Sequence, residues 1–135
     1  MKTILVVEDE SLVMRLFRHV LREYAILEAA TAEEALRQFR DSARHVDLLI
    51  TDLTLPTSSG TQVALLLRSM IPALPVILAS GCPPRNWTDQ DSDALGKLGT
   101  ESVIVLEKPF FPSVLLHKVH QMIGAPGEAV AATFG

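Results

Sequence analysis

Five side chains in this 135-residue sequence are of types that could do chemistry together: Glu8, Asp9, Asp52, Ser80 and Lys108. Each stands at the end of a short apolar run, and carboxylates brought together repel, so that some take up protons unless a cation sits among them. Oxygen donors with no histidine or cysteine nearby favour a hard ion, and Mg²⁺ suits a site completed by carboxylates, waters and a phosphoryl oxygen. Glu8 and Asp9 are read as the principal ligands, joined by Asp52 and by the backbone carbonyl of Thr54. A carboxylate is a weak nucleophile, yet it accepts a phosphoryl group where the donor is positioned and the transferring oxygens are neutralised. The expected roles follow: Asp52 as acceptor, Ser80 as hydrogen-bond partner of a phosphoryl oxygen, and Lys108 as the opposing positive charge.

The elements that must position these groups alternate regularly. Ile4 to Val7 is a β-branched run without alternation, the pattern of a strand covered on both faces, and it leads into Glu8 and Asp9. Ser11 is read as the cap of a helix carrying Val13, Leu16, Phe17, Val20, Leu21 and Tyr24 at three- and four-residue spacing. Ala25 to Ala29 is a weaker strand, and Thr31 with Glu34 forms a capping box for a second helix. A third strand, about Asp47 to Thr51, delivers Asp52; after a loop bounded by Pro56 and Gly60, Thr61 to Met70 makes a third helix. Val76 to Ala79 leads to Ser80, and Val103 to Leu106 to Lys108. Between them, Pro83 to Gly99 is polar and proline-broken, which predicts a loop with an irregular or shortened fourth helix. Pro112 opens a last helix that Gly124 closes, and 125–135 reads as a flexible tail. Strands alternating with helices imply an α/β domain, a doubly wound five-stranded parallel sheet, in which ligands bind beyond the carboxyl ends of the strands.

Composition bounds the rest. A chain of this length, 48% hydrophobic and 21% charged, is the size of one globular domain, and its net charge of −4 argues against nucleic-acid and anionic-membrane partners. One cysteine, Cys82, permits no internal disulfide, and no stretch approaches a secretory core segment or a membrane span. A cytoplasmic setting is expected.

The chain resembles the receiver domain of two-component response regulators. The matching pieces are Val6-Val7-Glu8-Asp9-Glu10, Asp52 with Pro56 and Gly60, Ser80-Gly81, and Lys108-Pro109-Phe110, within a receiver unit at 1–124. The resemblance implies flavodoxin-like strand order 2-1-3-4-5, a Mg²⁺ cofactor, and phosphorylation of Asp52 by a histidine kinase or a histidine phosphotransfer protein. It also implies a cis bond between Lys108 and Pro109, and a signalling domain rather than an enzyme, acting by shifting a conformational equilibrium. The Ala79-Ser80-Gly81 lead is most like receivers associated with hybrid sensor histidine kinases. No kinase or DNA-binding part is present, and a start at Met1 favours a stand-alone regulator over an excised domain.

Two features depart from that pattern. Receivers commonly carry an aromatic residue three positions before the lysine, where this chain has Val105, and the segment 83–99 is unusually polar. They motivate an alternative reading, an interaction module independent of phosphorylation. An aspartate-nucleophile phosphatase is a weaker alternative, because the acid expected two residues after the nucleophile is Thr54 here. His117 and His120 share a helical face but lack a third metal ligand, and His19 and His45 have no evident partner. Trp87 is read either as an anchor for a partner or as packed in its own domain.

Overall fold

A computed structural model describes residues 1–43 and 45–126. Five strands, β1 (Thr3–Val7), β2 (Ala25–Ala29), β3 (Leu48–Asp52), β4 (Val76–Ser80) and β5 (Val103–Glu107), form one parallel sheet in the order β2-β1-β3-β4-β5. Five helices connect and follow them: α1 (Ser11–Val20), α2 (Ala32–Asp41), α3 (Gly60–Met70), α4 (Asp89–Leu98) and α5 (Pro112–Ile123). This is the doubly wound, flavodoxin-like arrangement expected from the alternation. Among the described residues, no helix is long and apolar enough to cross a membrane.

The strands are nearly continuous runs of apolar residues because both faces of the sheet are covered. Ile4, Val6, Leu48, Ile50, Ile77 and Leu106 point to one face and pack with Met14 and Phe17 of α1 and Leu115 and Val119 of α5. Leu5, Val7, Leu49, Val76 and Leu78 point to the other, against Phe39 of α2, Val63 and Leu67 of α3, and Leu98 of α4. Register then sets the upper edge: Val7 lies beside Thr51, Asp52 beside Ala79, and Ser80 beside Glu107. The chain segments that follow these residues leave the sheet side by side.

Most boundaries agree with the periodicity within a residue, and Lys108–Pro109 is cis. Thr31 caps α2 by accepting from the Glu34 N–H, while the Glu34 carboxylate accepts from Ala30 rather than from Thr31 itself. The expectation at α1 needs correction. Glu10 is its N-cap, in an extended conformation and without a side-chain cap, so Ser11 is already the first helical residue; the helix ends at Val20 with Leu21 as its C-cap, which leaves Tyr24 beyond it.

The fourth helix is neither irregular nor shortened. It has ten residues, like α1 and α2, and the irregularity is confined to the approach, where a 3-10 turn at Pro84–Asn86 precedes a cap by Thr88 on the Asp91 N–H. Few apolar residues mark this helix in the sequence because polar contacts hold much of it. At its start the Asp91 carboxylate accepts from Ser59 Oγ at 2.6 Å and Thr61 Oγ1 at 2.7 Å; at its end Arg68 of α3 donates to the Leu98 carbonyl at 2.8 Å. The same guanidinium bonds the carbonyls of Leu74 and Ser102. The fourth helix is thus pinned to the third at both ends, by contacts that have no periodicity to read. The expected tail falls, from residue 127 on, outside the described residues.

Gly60 brings the helix layer to the acid-bearing strand. A Cβ at this position would lie 2.1 Å from the Asp52 carbonyl oxygen and 2.9 Å from its carbonyl carbon, which are backbone atoms that cannot turn aside. Gly60→Ala should therefore destabilise the fold by about 1–3 kcal/mol, the usual cost of overpacking, as measured by denaturant titration. Gly96, inside α4 with open space where a Cβ would stand, supplies the contrast. Gly96→Ala should raise stability by up to about 1 kcal/mol through helix propensity alone. Equal effects of the two substitutions would contradict the close approach at Gly60.

Candidate functional site

Parallel strands end on the same edge, and here that edge collects the acids. Carboxylate oxygens of Glu8, Asp9 and Asp52 all lie within 4.8 Å of one another. Glu8 follows β1 directly and is buried; Asp9 is exposed, and Asp52, the last residue of β3, is partly so. The site is therefore closed on the β1 side and open above Asp9 and Asp52.

Lys108 enters from the end of β5. Its ammonium lies 3.3 Å from Glu8 Oε2 and 3.3 Å from Asp52 Oδ1, and the Lys108 backbone N–H donates to the Ser80 carbonyl at 2.8 Å. That last bond continues the β4–β5 ladder past the sheet and sets where the lysine stem leaves the backbone. One ammonium thus meets two carboxyl groups, with that of Asp9 within 4.8 Å of both. Burial pushes the Glu8 carboxyl up to about 7, with the neighbouring Asp52 charge adding to the rise and Lys108 opposing it. For Lys108, burial pulls the ammonium down, but Glu8 and Asp52 outweigh it and hold its pKa above the ordinary value.

A hard divalent cation fits this donor set. The three groups are oxygen donors, they converge within a few ångströms, and one ammonium leaves a surplus of negative charge that a metal would relieve. Thr54 lies in the loop after Asp52, exposed and in an isolated antiparallel bridge with Ser59.

Ser80 is held within its own chain. Its hydroxyl is buried and directed along its own chain: it donates to the Cys82 carbonyl at 2.8 Å and accepts from the Cys82 N–H at 3.1 Å. The structure thus gathers Glu8, Asp9 and Asp52 into one cluster, with Lys108 in contact with Glu8 and Asp52, and Ser80 at the end of the neighbouring strand has its hydroxyl engaged elsewhere. Sequence reasoning missed this local pair, although a serine two residues ahead of its partner is a recurring turn signal. Trp87 resolves toward packing: it is buried in the α2–α3–α4 core and its indole N–H also donates to the Cys82 carbonyl, at 3.1 Å. His19, His45, His117 and His120 are all exposed, and His45 Nε2 lies 3.9 Å from the Asp47 carboxylate.

The raised Glu8 pKa fixes the sign of a pH effect. This carboxyl is harder to ionise in the folded protein than in the unfolded chain, so between pH 4.5 and about 7 the folded state holds more protons. Stability is fully present below that window and falls as pH rises through it, by on the order of 3 kcal/mol. Glu8→Gln should lack the drop, and excess Mg²⁺ should oppose it by binding the ionised form. Denaturant titrations of both proteins on either side of the window measure the difference, and parallel pH profiles would count against a burial-driven shift.

The family model described as response regulator receiver domain matches residues 4–120. The response regulator GtcR of Aneurinibacillus migulanus is 34% identical over 113 residues, covering 82% of this chain and 43% of that protein. The autoinducer 1 sensor kinase/phosphatase LuxN of Vibrio campbellii is 27% identical over 117 residues, covering 85% of this chain and 13% of that one. The chain therefore spans less than half the length of these curated relatives. Among solved structures, a CheY-like response regulator receiver domain protein from Methanospirillum hungatei JF-1 superposes with a TM-score of 0.76 at 25% identity, covering 91% of this chain and 94% of that one. Strand order, the acid cluster facing one lysine, and a family match over nearly the whole described chain agree: the protein belongs to the response regulator receiver domain family.

Proposed function

We propose that Asp52 is the phosphoacceptor of this receiver, taking a phosphoryl group from a histidine kinase or a histidine phosphotransfer protein. The observation that carries this reading is the Lys108 ammonium, 3.3 Å from both Asp52 and Glu8 in an acidic cluster. In the transfer, the bond from phosphorus to the donor histidine nitrogen breaks as one forms to an Asp52 carboxylate oxygen. Positioning and charge neutralisation carry most of such a reaction. Lys108 opposes the charge on the transferred group, Glu8 and Asp9 with Asp52 hold the metal, and the Thr54 carbonyl adds an oxygen donor. Mg²⁺, when bound, supplies the remaining neutralisation of the phosphoryl oxygens. Ser80 turns its hydroxyl toward the phosphoryl group once that group is in place.

The surroundings suit a protein donor rather than a small substrate. Beside Lys108, Val13 and Leu16 of α1 and Pro109 and Phe110 line an apolar cleft, and Leu12 and Phe111, next to them in the chain, are largely exposed. Such a rim gives a partner helix an apolar footing within reach of Asp52. The receiver unit is taken as 1–124, acting in a reducing cytoplasmic setting in which Cys82 stays free. Its output is a shift in a conformational equilibrium driven by the new charge, and the protein signals rather than turning over a substrate.

Incubation with Mg²⁺ and a small phosphodonor such as acetyl phosphate should add one phosphoryl group per chain, seen by intact mass. Asp52→Asn should remove the modification entirely, and chelation of Mg²⁺ should suppress it. Modification that persists in Asp52→Asn would assign the acceptor elsewhere.

A further inference from the structure

The Cys82 carbonyl carries two donors at once. Ser80 Oγ donates to it at 2.8 Å and Trp87 Nε1 at 3.1 Å, which fills both lone pairs of one oxygen. Ser80 is bound to the same residue a second time, through the Cys82 N–H at 3.1 Å, so its hydroxyl is locked in a closed pair. Ser80 and Trp87 are both buried, and Trp87 belongs to the core cluster against which Cys82 and Val105 pack. The 3-10 turn at Pro84–Asn86 separates the two donors, and the backbone N–H of Trp87 closes it on the Pro84 carbonyl.

Resting on the reading of Asp52 as phosphoacceptor, we propose that the Cys82 carbonyl is the resting acceptor of the Ser80 hydroxyl and that Trp87 is the positioning residue that lets the hydroxyl leave it. Turning Ser80 toward a phosphoryl group breaks its bond to the carbonyl. Where a partly buried carbonyl would lose its only side-chain donor, the turn is opposed; the Trp87 N–H keeps this one satisfied. Trp87 thereby lowers the cost of recruiting Ser80 and holds the backbone from 82 to 87 in place while the hydroxyl rotates. A tryptophan, rather than another large apolar residue, is required because the function lies in the N–H and not in the ring volume.

Beryllofluoride with Mg²⁺, a mimic of the phosphorylated aspartate, is the probe. Trp87→Phe keeps a ring in the core and removes the donor, and it should weaken beryllofluoride binding about five-fold, the scale of one hydrogen bond. In a Ser80→Ala background the same substitution should change nothing, because no hydroxyl remains to recruit. An equal loss in both backgrounds, no loss, or tighter binding would overturn the proposal. A second measurement leaves the core intact. Trp87 is the single tryptophan of the chain, so the emission reports the surroundings of this indole alone. Emission should shift on beryllofluoride binding in the wild type and stay constant in Ser80→Ala; the same shift in both would also overturn the proposal. Failure of the wild type to bind beryllofluoride would instead remove the phosphoacceptor reading of Asp52, so the two failures are distinguishable.

Discussion

The interaction on which the site depends is the contact of one ammonium with two carboxylates from different strands. A parallel sheet puts the carboxyl ends of its strands on one edge, and this sequence places an acid at the end of β1 and another at the end of β3, where the two repel. Lys108 answers it from β5, two strands away from β3, bridging Glu8 and Asp52 at equal distance. The compensation is partial. Glu8, desolvated against the sheet, remains difficult to ionise, and the surplus charge makes the edge a place for a divalent cation and then for an anionic group bound to it.

The rest of the molecule can be understood as support for that edge. Two apolar layers hold the sheet from both sides, and their alternation along each strand sets its register, since a slip by one residue would exchange the faces. Gly60 allows the start of α3 to meet the Asp52 backbone, which places the β3–α3 loop against the acid. Ser59 then links that loop to α4, since its hydroxyl donates to the Asp91 carboxylate at 2.6 Å. The residues nearest Asp52 are therefore joined to the fourth helix through short polar contacts.

Val105 removes the aromatic side chain commonly found three residues before the lysine, but the structure is not short of an aromatic group near the site. Trp87 lies in the same apolar cluster, approached from the β4–α4 connection instead of from β5. The segment that looked least regular in sequence thus carries the residue that ties the Ser80 loop to the core. Its polar composition reflects a helix held through Asp91, Thr88 and Arg68 rather than through a wide apolar stripe.

The sequence by itself determined the strand-helix alternation, the edge on which Glu8, Asp9, Asp52 and Lys108 meet, and the cap at Thr31, because each is written locally, in hydrophobic period or in residue type at an element end. Only the tertiary structure decided the completeness of α4, the engagement of Ser80 with Cys82, the burial of Trp87 and the rise in the Glu8 pKa. Apart from the Ser80 pair, these depend on groups far apart in the chain. Asp91 meets Thr61 across 30 residues and Lys108 meets Glu8 across 100, and no local pattern records a hydrogen bond or a desolvation made at such separation. The Ser80 pair is local, but which of its acceptors a hydroxyl takes is a question of rotamer, and that choice is made by the packing around it.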